Sequence, residues 1–198
     1  MGRTKILPVQ QPDDRTCGPT ALKTAFAIFG VKKSLSDLIK LCKTNKNGTT
    51  TKNLIKAANK LGFTVLAVEY ANLKHLQSAL KYKPNRNRAV LVSFLSELDE
   101  NEDPHEESGH WSVVSSYSNS TSRIILLDSY TGKRISYNWT EFRKRWFDYD
   151  LKRRNVYKKG RRFQLVRHWQ PQLMLVLTLN PKHLPKFSIT SSKVFLPK

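Results

Sequence analysis

Hydrophobic positions recur every three or four residues through the first third of the chain. Ala21, Leu22, Ala25, Phe26 and Phe29 share one face of a predicted helix that opens at Cys17-Gly18-Pro19-Thr20. Pro19 suits a first helical turn, where a missing amide costs nothing, and Gly30 suits the stop. Leu35, Leu38, Ile39 and Cys42 repeat the spacing behind Ser34 or Ser36 and predict a second helix. Gly48-Thr49-Thr50-Thr51 caps a third, with Leu54, Ile55, Ala58 and Leu61 inward and Gly62 at its end. The region up to Gly62 is therefore expected to be helical.

The period then changes. Phe63 to Tyr70 predicts a strand, Asn72 to Lys81 a short helix, and Ala89 to Leu95 a buried strand. His110 to Tyr117 and Arg123 to Ser129, joined by the polar turn Ser118 to Ser122, predict a hairpin. Arg134 to Trp139 adds a strand and Thr140 to Phe147 a short helix. Helices first and antiparallel strands after give an α+β fold, a helical layer packed on an antiparallel sheet. Beyond Asp150 the pattern weakens. Residues 152–162 hold seven Lys or Arg and predict a solvated loop, 172–179 a closing strand, and 181–198 a tail. The expected division is one domain over residues 1–150 and an appended basic segment over 151–198.

Composition narrows the class. With 198 residues, 39% hydrophobic and 10% aromatic, the chain buries a real core, which excludes global disorder. Two cysteines make no disulfide framework, and both are expected reduced, in a cytoplasmic setting. Met1 to Pro8 lacks the apolar run of a signal peptide, and Ile6 stands where a myristoylation signal needs Ser or Thr. Leu173 to Leu179 falls far short of the ~20 residues of a membrane helix, so no transmembrane segment is expected. Secretion by a specialised route, as an effector, is the alternative location.

Charge adds a question about partners. There are 35 basic and 15 acidic residues, a net +20, and seven of the acids lie between Glu97 and Glu107. The rest of the surface attracts polyanions: nucleic acid, anionic membrane or an acidic partner. A merely solubilising surface is the plainer reading, and no nucleic-acid recognition signature is present.

The candidate chemistry begins at Cys17. A helix start, with its partial positive charge and free amides, turns a thiol into a nucleophile, and a nearby imidazole does so further. The alternative is a buried structural cysteine, against which stand the polar neighbours Asp13-Asp14-Arg15-Thr16. Gln11 lies six residues earlier, in an extended segment. Its amide can join the Cys17 N–H as an oxyanion hole, while strand alternation turns Gln10 away. Of five histidines, His75 is in a Lys-flanked helix, His105 in the acidic segment, and His168 and His183 in the basic C-terminal part. His110 follows Ser108-Gly109 and opens a strand. The hairpin from that strand ends in Asp128, a carboxylate able to fix the imidazole tautomer or to begin the turn Ser129-Tyr130-Thr131-Gly132. No zinc-type ligand spacing appears, so no metal or cofactor is expected.

In Gln11, Cys17 to Leu22, Gly48-Thr49-Thr50, Gly109 to Val114 and Leu127-Asp128, the chain resembles the bacteriocin-processing peptidases of the papain-like cysteine peptidase clan. These include the N-terminal domains of peptide-exporting ABC transporters. The similarity runs over residues 6–150 in the same order, with 173–179 as a closing match. It implies a papain-like fold and cleavage of a peptide amide through a thioester, with Gln11 as oxyanion donor, Cys17 as nucleophile, His110 as acid/base and Asp128 as orienter. The family often places an acidic residue before the cysteine, where this chain has Thr16. Since 198 residues do not hold membrane helices and an ATPase, a stand-alone peptidase is expected.

Three questions stay open at this level. The acidic segment runs into His110, so it either selects basic substrates at the cleft rim or is a solvated loop drawn to the basic surface. The same triad serves a papain-like acyltransferase. A basic nucleic-acid or polyanion-binding module on an inactive fold is the reading from another class.

Overall fold

The computed structural model describes residues 6–81, 88–155, 163–187 and 191–197. Three helices come first: α1 (Cys17–Ala27), α2 (Leu35–Leu41) and α3 (Thr51–Lys60). Their starts follow side-chain chemistry. Ser34 accepts from the Asp37 amide at 3.1 Å and Thr50 from the Asn53 amide at 3.3 Å, each supplying an acceptor to an otherwise orphaned helix donor. Strand β1 (Thr64–Val68), α4 (Leu73–Leu80), β2 (Ala89–Leu95), β3 (Gly109–Ser118), β4 (Arg123–Asp128), β5 (Arg134–Asn138) and α5 (Trp139–Arg145) follow. Then come β6 (Phe147–Asn155), β7 (Phe163–Pro171), β8 (Met174–Thr178), a 3-10 turn at Pro181–His183 and β9 (Ser192–Phe195).

Seven strands form one sheet in the order β5-β4-β3-β2-β8-β1-β9, and every neighbouring pair is antiparallel. The expected helical layer on an antiparallel sheet is the fold observed. Alternation along the strands sends Val65, Leu91, Trp111, Val113, Leu175 and Leu177 into a core with α1, α2 and α3. The intervening Leu66, Val90, Val92, Phe94, Ile124 and Val176 enter a second core with residues of α4 and α5. Both faces are covered, which is why β2 is buried at all seven positions and apolar at every one but Ser93. Each fully buried Leu or Phe contributes about 1.5–3 kcal/mol relative to exposure. Phe26 stacks on Phe63 at 4.5 Å, fixing α1 over the end of α3.

The C-terminal part differs from the expectation. Residues 152–155, expected in a loop, continue β6, which pairs with β7 from Phe147↔Pro171 to Asn155↔Phe163. The charges of Lys152, Arg153 and Arg154 hid the period-two pattern of Phe147, Tyr149 and Leu151, whose intervening Asp148 and Asp150 find hydrogen-bond donors on the body of the molecule. The remainder of that expected loop, residues 156–162, lies outside the described residues. β8 is a strand as expected but occupies the middle of the sheet, between β2 and β1. Within the expected tail, β9 pairs with β1 from Val65↔Phe195 to Val68↔Ser192.

Candidate active site

α1 starts at Cys17 with Thr16 as its N-cap residue, and no side chain caps its first amides. The Thr16 hydroxyl instead turns back to the Asp13 carbonyl at 3.2 Å. The first turn therefore presents its positive end to whatever lies beside the thiol. Gly18 lets this turn sit tightly on the chain before α3: a methyl group there would lie 3.1 Å from the Thr49 side chain.

His110 arrives from the sheet. Its Nε2 donates to Asp128 Oδ1 at 2.7 Å, and the ring lies close enough to Cys17 for the sulfur to act on its titration. With Nε2 committed to the carboxylate, Nδ1 is the nitrogen left for sulfur. The edges of Phe94 and Tyr130 face the ring at centroid distances of 5.6 and 6.5 Å and bracket it. Burial of the ring pulls its pKa down. The hydrogen bond to Asp128, the nearby Cys17 sulfur and the charges of both outweigh that and raise it to about 9.

Asp128 is held by four donors. Besides His110, it accepts from Ser112 Oγ at 3.0 Å and from the Thr131 amide and hydroxyl at 2.8 Å each. Burial pushes its pKa up, but the hydrogen bond and charge of His110 and the two bonds from Thr131 win and hold it well below the usual carboxylate range. Asp128 thus both orients the ring and begins the turn.

Gln11 joins through Ser129. Its amide donates to the Ser129 carbonyl at 2.7 Å, and its Oε1 accepts from Ser129 Oγ at 3.1 Å. Its Nε2 donates one proton to Asp13 O at 2.8 Å, which leaves the other proton free. Gln10 is exposed and reaches the Tyr130 carbonyl instead. Cys17, His110, Asp128 and Gln11 are therefore assembled in one place. The remaining histidines lie elsewhere: His75 caps α4, His105 is in the acidic loop, His168 is on β7, and His183 is in the 3-10 turn. Cys42 is fully buried behind α2, and burial raises its pKa to about 12.

Three supporting residues were not singled out in the sequence. Ser112 was findable, since it lies two positions after His110 on the same strand face and opposite Asp128 in register. Thr131 and Ser129 act from the turn after β4, where spacing gives no warning. The acidic loop is fastened to the ribbon: Arg167 of β7 pairs with Glu106, lies 3.6 Å from Glu107, and stacks 4.9 Å over Tyr149. Among the described residues, no three His, Cys, Asp or Glu side chains converge as a metal site requires. Nor is any described helix long and apolar enough to cross a membrane.

Comparison with known proteins bears on the family and the fold. The Peptidase C39 family matches residues 5–154. The mesentericin transport/processing ATP-binding protein MesD of Leuconostoc mesenteroides is 38% identical over 69 residues, which cover 35% of this chain and 10% of that protein. The chain thus spans about a tenth of that relative's length. Among solved structures, the peptidase domain of Streptococcus ComA, a bi-functional ABC transporter of a quorum sensing pathway, aligns with a TM-score of 0.56 at 24% identity, covering 84% of this chain and 99% of that one. A double glycine motif protease from an AMS/PCAT transporter, solved with a leader peptide, aligns at 0.57 and 13% identity, covering 89% and 93%. At such identities these structures show the fold. The family match covers most of the chain, so the chain belongs to the peptidase C39 family and is a cysteine peptidase with the helix-and-antiparallel-sheet fold of such peptidase domains.

Proposed function

We propose that these 198 residues suffice to cleave a peptide amide through a thioester on Cys17. The observation that carries this reading is His110 held between Asp128 and the Cys17 sulfur, with its pKa raised to about 9. At neutral pH such a ring is an imidazolium beside a sulfur at a helix start, the arrangement a thiolate nucleophile needs.

Sulfur attacks the scissile carbonyl carbon, and the oxyanion that forms is met by the Cys17 amide and the free Nε2 proton of Gln11. His110 gives its Nδ1 proton to the departing amine, the C–N bond breaks, and the thioester remains. Water, losing a proton to the same nitrogen, attacks the thioester and releases the acid and Cys17. Asp128 keeps the ring oriented throughout, and Ser112 and Thr131 keep Asp128 in place. Because β8 sits between β2 and β1, the unit expected over residues 1–150 needs β8 as well.

The substrate is a peptide or an exposed protein segment. The double glycine motif protease among the related structures makes a leader peptide with two glycines at the junction the first to try. The acidic loop favours basic residues near the junction, and the +20 charge favours an anionic surface or polyanion elsewhere on the molecule. Incubating the protein with double-glycine peptides and a mixed peptide library, in ¹⁸O water, is expected to yield new C-termini carrying the label. Cys17→Ala is expected to yield none; cleavage that survives it contradicts the reading. Products ending in an added amine rather than an acid would assign acyl transfer instead.

A further inference from the structure

One carboxylate beside the site has no part in the scheme above. Asp148 is the second residue of β6, where the ribbon leaves the body of the molecule next to β2 and β3. Its Oδ1 accepts the Tyr149 amide at 2.7 Å, and its Oδ2 accepts the hydroxyl of Ser93. Ser93 is fully buried and precedes Phe94, the residue paired with His110 in the register and set edge-on to its ring. These two donors press the carboxylate against Gly109, the residue immediately before His110. A methyl group on Gly109 would collide with Oδ1, so glycine is what leaves room for this carboxylate.

The same ribbon face reaches the opposite wall. Asp150 accepts the Thr51 amide at 3.1 Å, and Gln170, opposite Asp148 in the ribbon, accepts the Thr51 hydroxyl at 2.8 Å. Thr51 begins α3, in the helical layer that carries Cys17. The ribbon base therefore ties the thiol side to the imidazole side, and its point of contact with the imidazole strand is an acid.

We propose that Asp148 is a positioning residue for the Cys17–His110 pair: seated on Gly109 and held by Ser93, it sets where β3 delivers the ring and adds a negative neighbour to the ring beyond Asp128 and Cys17. The proposal rests on the reading of Cys17 and His110 given above. The charged groups acting on Asp148 are Asp150 on its own strand and His110 on β3, and those acting on His110 are Asp128 on β4 and Cys17 on α1. Burial raises the Asp148 pKa, the Ser93 and Tyr149 hydrogen bonds lower it, Asp150 raises it and His110 lowers it, with a net value of about 6. Linkage is mutual, so the charged carboxylate favours the imidazolium. Above about pH 6 that support is present, and below it is withdrawn.

The test is the rate of Cys17 alkylation by iodoacetamide from pH 5 to 10, with melting temperatures measured alongside. Wild type is expected to show an inflection near pH 6. Asp148→Asn keeps the shape and removes the charge; it should lose the inflection, react about threefold to tenfold more slowly at pH 7, and show its basic limb at lower pH. Gly109→Ala should reproduce that loss by displacing the carboxylate, yet add nothing in an Asp148→Ala background. Superimposable profiles for wild type and Asp148→Asn would overturn the proposal, as would fully additive effects of Gly109→Ala and Asp148→Ala. Failure of the underlying reading looks different: wild-type Cys17 would then react no faster than Cys42.

Discussion

The two cysteines lie at opposite ends of neighbouring helices in the same core, and their surroundings share almost nothing. Cys17 opens α1, is 7% exposed, and lies beside uncapped amides and the His110 imidazole, which Ser129 in turn links to Gln11. Cys42 closes α2 at 0% exposure, its amide bonded to the Leu38 carbonyl. Low exposure alone does not separate the thiol proposed as nucleophile from one that only fills the core. The end of the helix and the polar groups that converge there do. At Cys42 burial acts alone and keeps the thiol protonated, whereas at Cys17 a second chain segment, far away in sequence, brings a partner.

The comparison breaks most sharply under substitution of each sulfur. Cys17→Ala should remove peptide turnover by at least about 10³-fold while leaving the melting temperature nearly unchanged. Cys42→Ser should leave kcat/KM within a few-fold but lower stability by about 1–3 kcal/mol, by placing a hydroxyl in apolar packing. Urea denaturation checks the second value. Iodoacetamide at neutral pH should modify Cys17 at least about 100-fold faster than Cys42; equal, slow labelling would erase the distinction.

Next in size is Asp128→Asn, which keeps the shape of the contact and changes the tautomer it favours. A fall in kcat of about 10²–10⁴-fold is expected, with little change in KM. Gln11→Ala should cost about 10–100-fold in kcat, read with the same peptide.

Stability carries a smaller, pH-dependent signature. The folded His110 pKa of about 9 lies above the 6.5 of a free imidazole. Its charged ring therefore supports the fold fully below about pH 6.5, and that support is lost as pH rises through 9. Asp128 runs the other way: its contribution is present above 3.8 and lost as pH falls through its depressed folded value. Urea midpoints should decline between pH 7 and 9.5 in the wild type and much less in His110→Ala. Smallest of all is Arg167→Ala, which frees the acidic loop from the ribbon. Stability should change by less than about 1 kcal/mol, since the ion pairs are largely solvated. An altered salt dependence of KM for basic peptides would show that the loop contacts substrate.

What could be read in the sequence was local. Caps, stops and the spacing of Leu54, Ile55 and Ala58 announced the helices, and the hairpin carrying His110 and Asp128 was visible because both strands and their turn are contiguous. Non-local pairing was less legible. Nothing in Met174 to Thr178 says that this strand slides between β2 and β1, because a fully buried strand has the same composition wherever it lies in the sheet. The ribbon was missed because Lys152, Arg153 and Arg154 mask its alternation. Asp148 escaped for a related reason: its place beside Gly109 is set by the pairing of that ribbon, not by any motif around it.

The most direct measurement of the central claim, a paired Cys17 and His110, is an NMR titration of the His110 ring in wild type and in Cys17→Ala. The expected result is a wild-type ring that stays protonated to about pH 9 and a clearly lower midpoint once the sulfur is removed. A ring that titrates near 6.5 in both proteins would contradict the pairing, and with it the assignment of Cys17 as nucleophile.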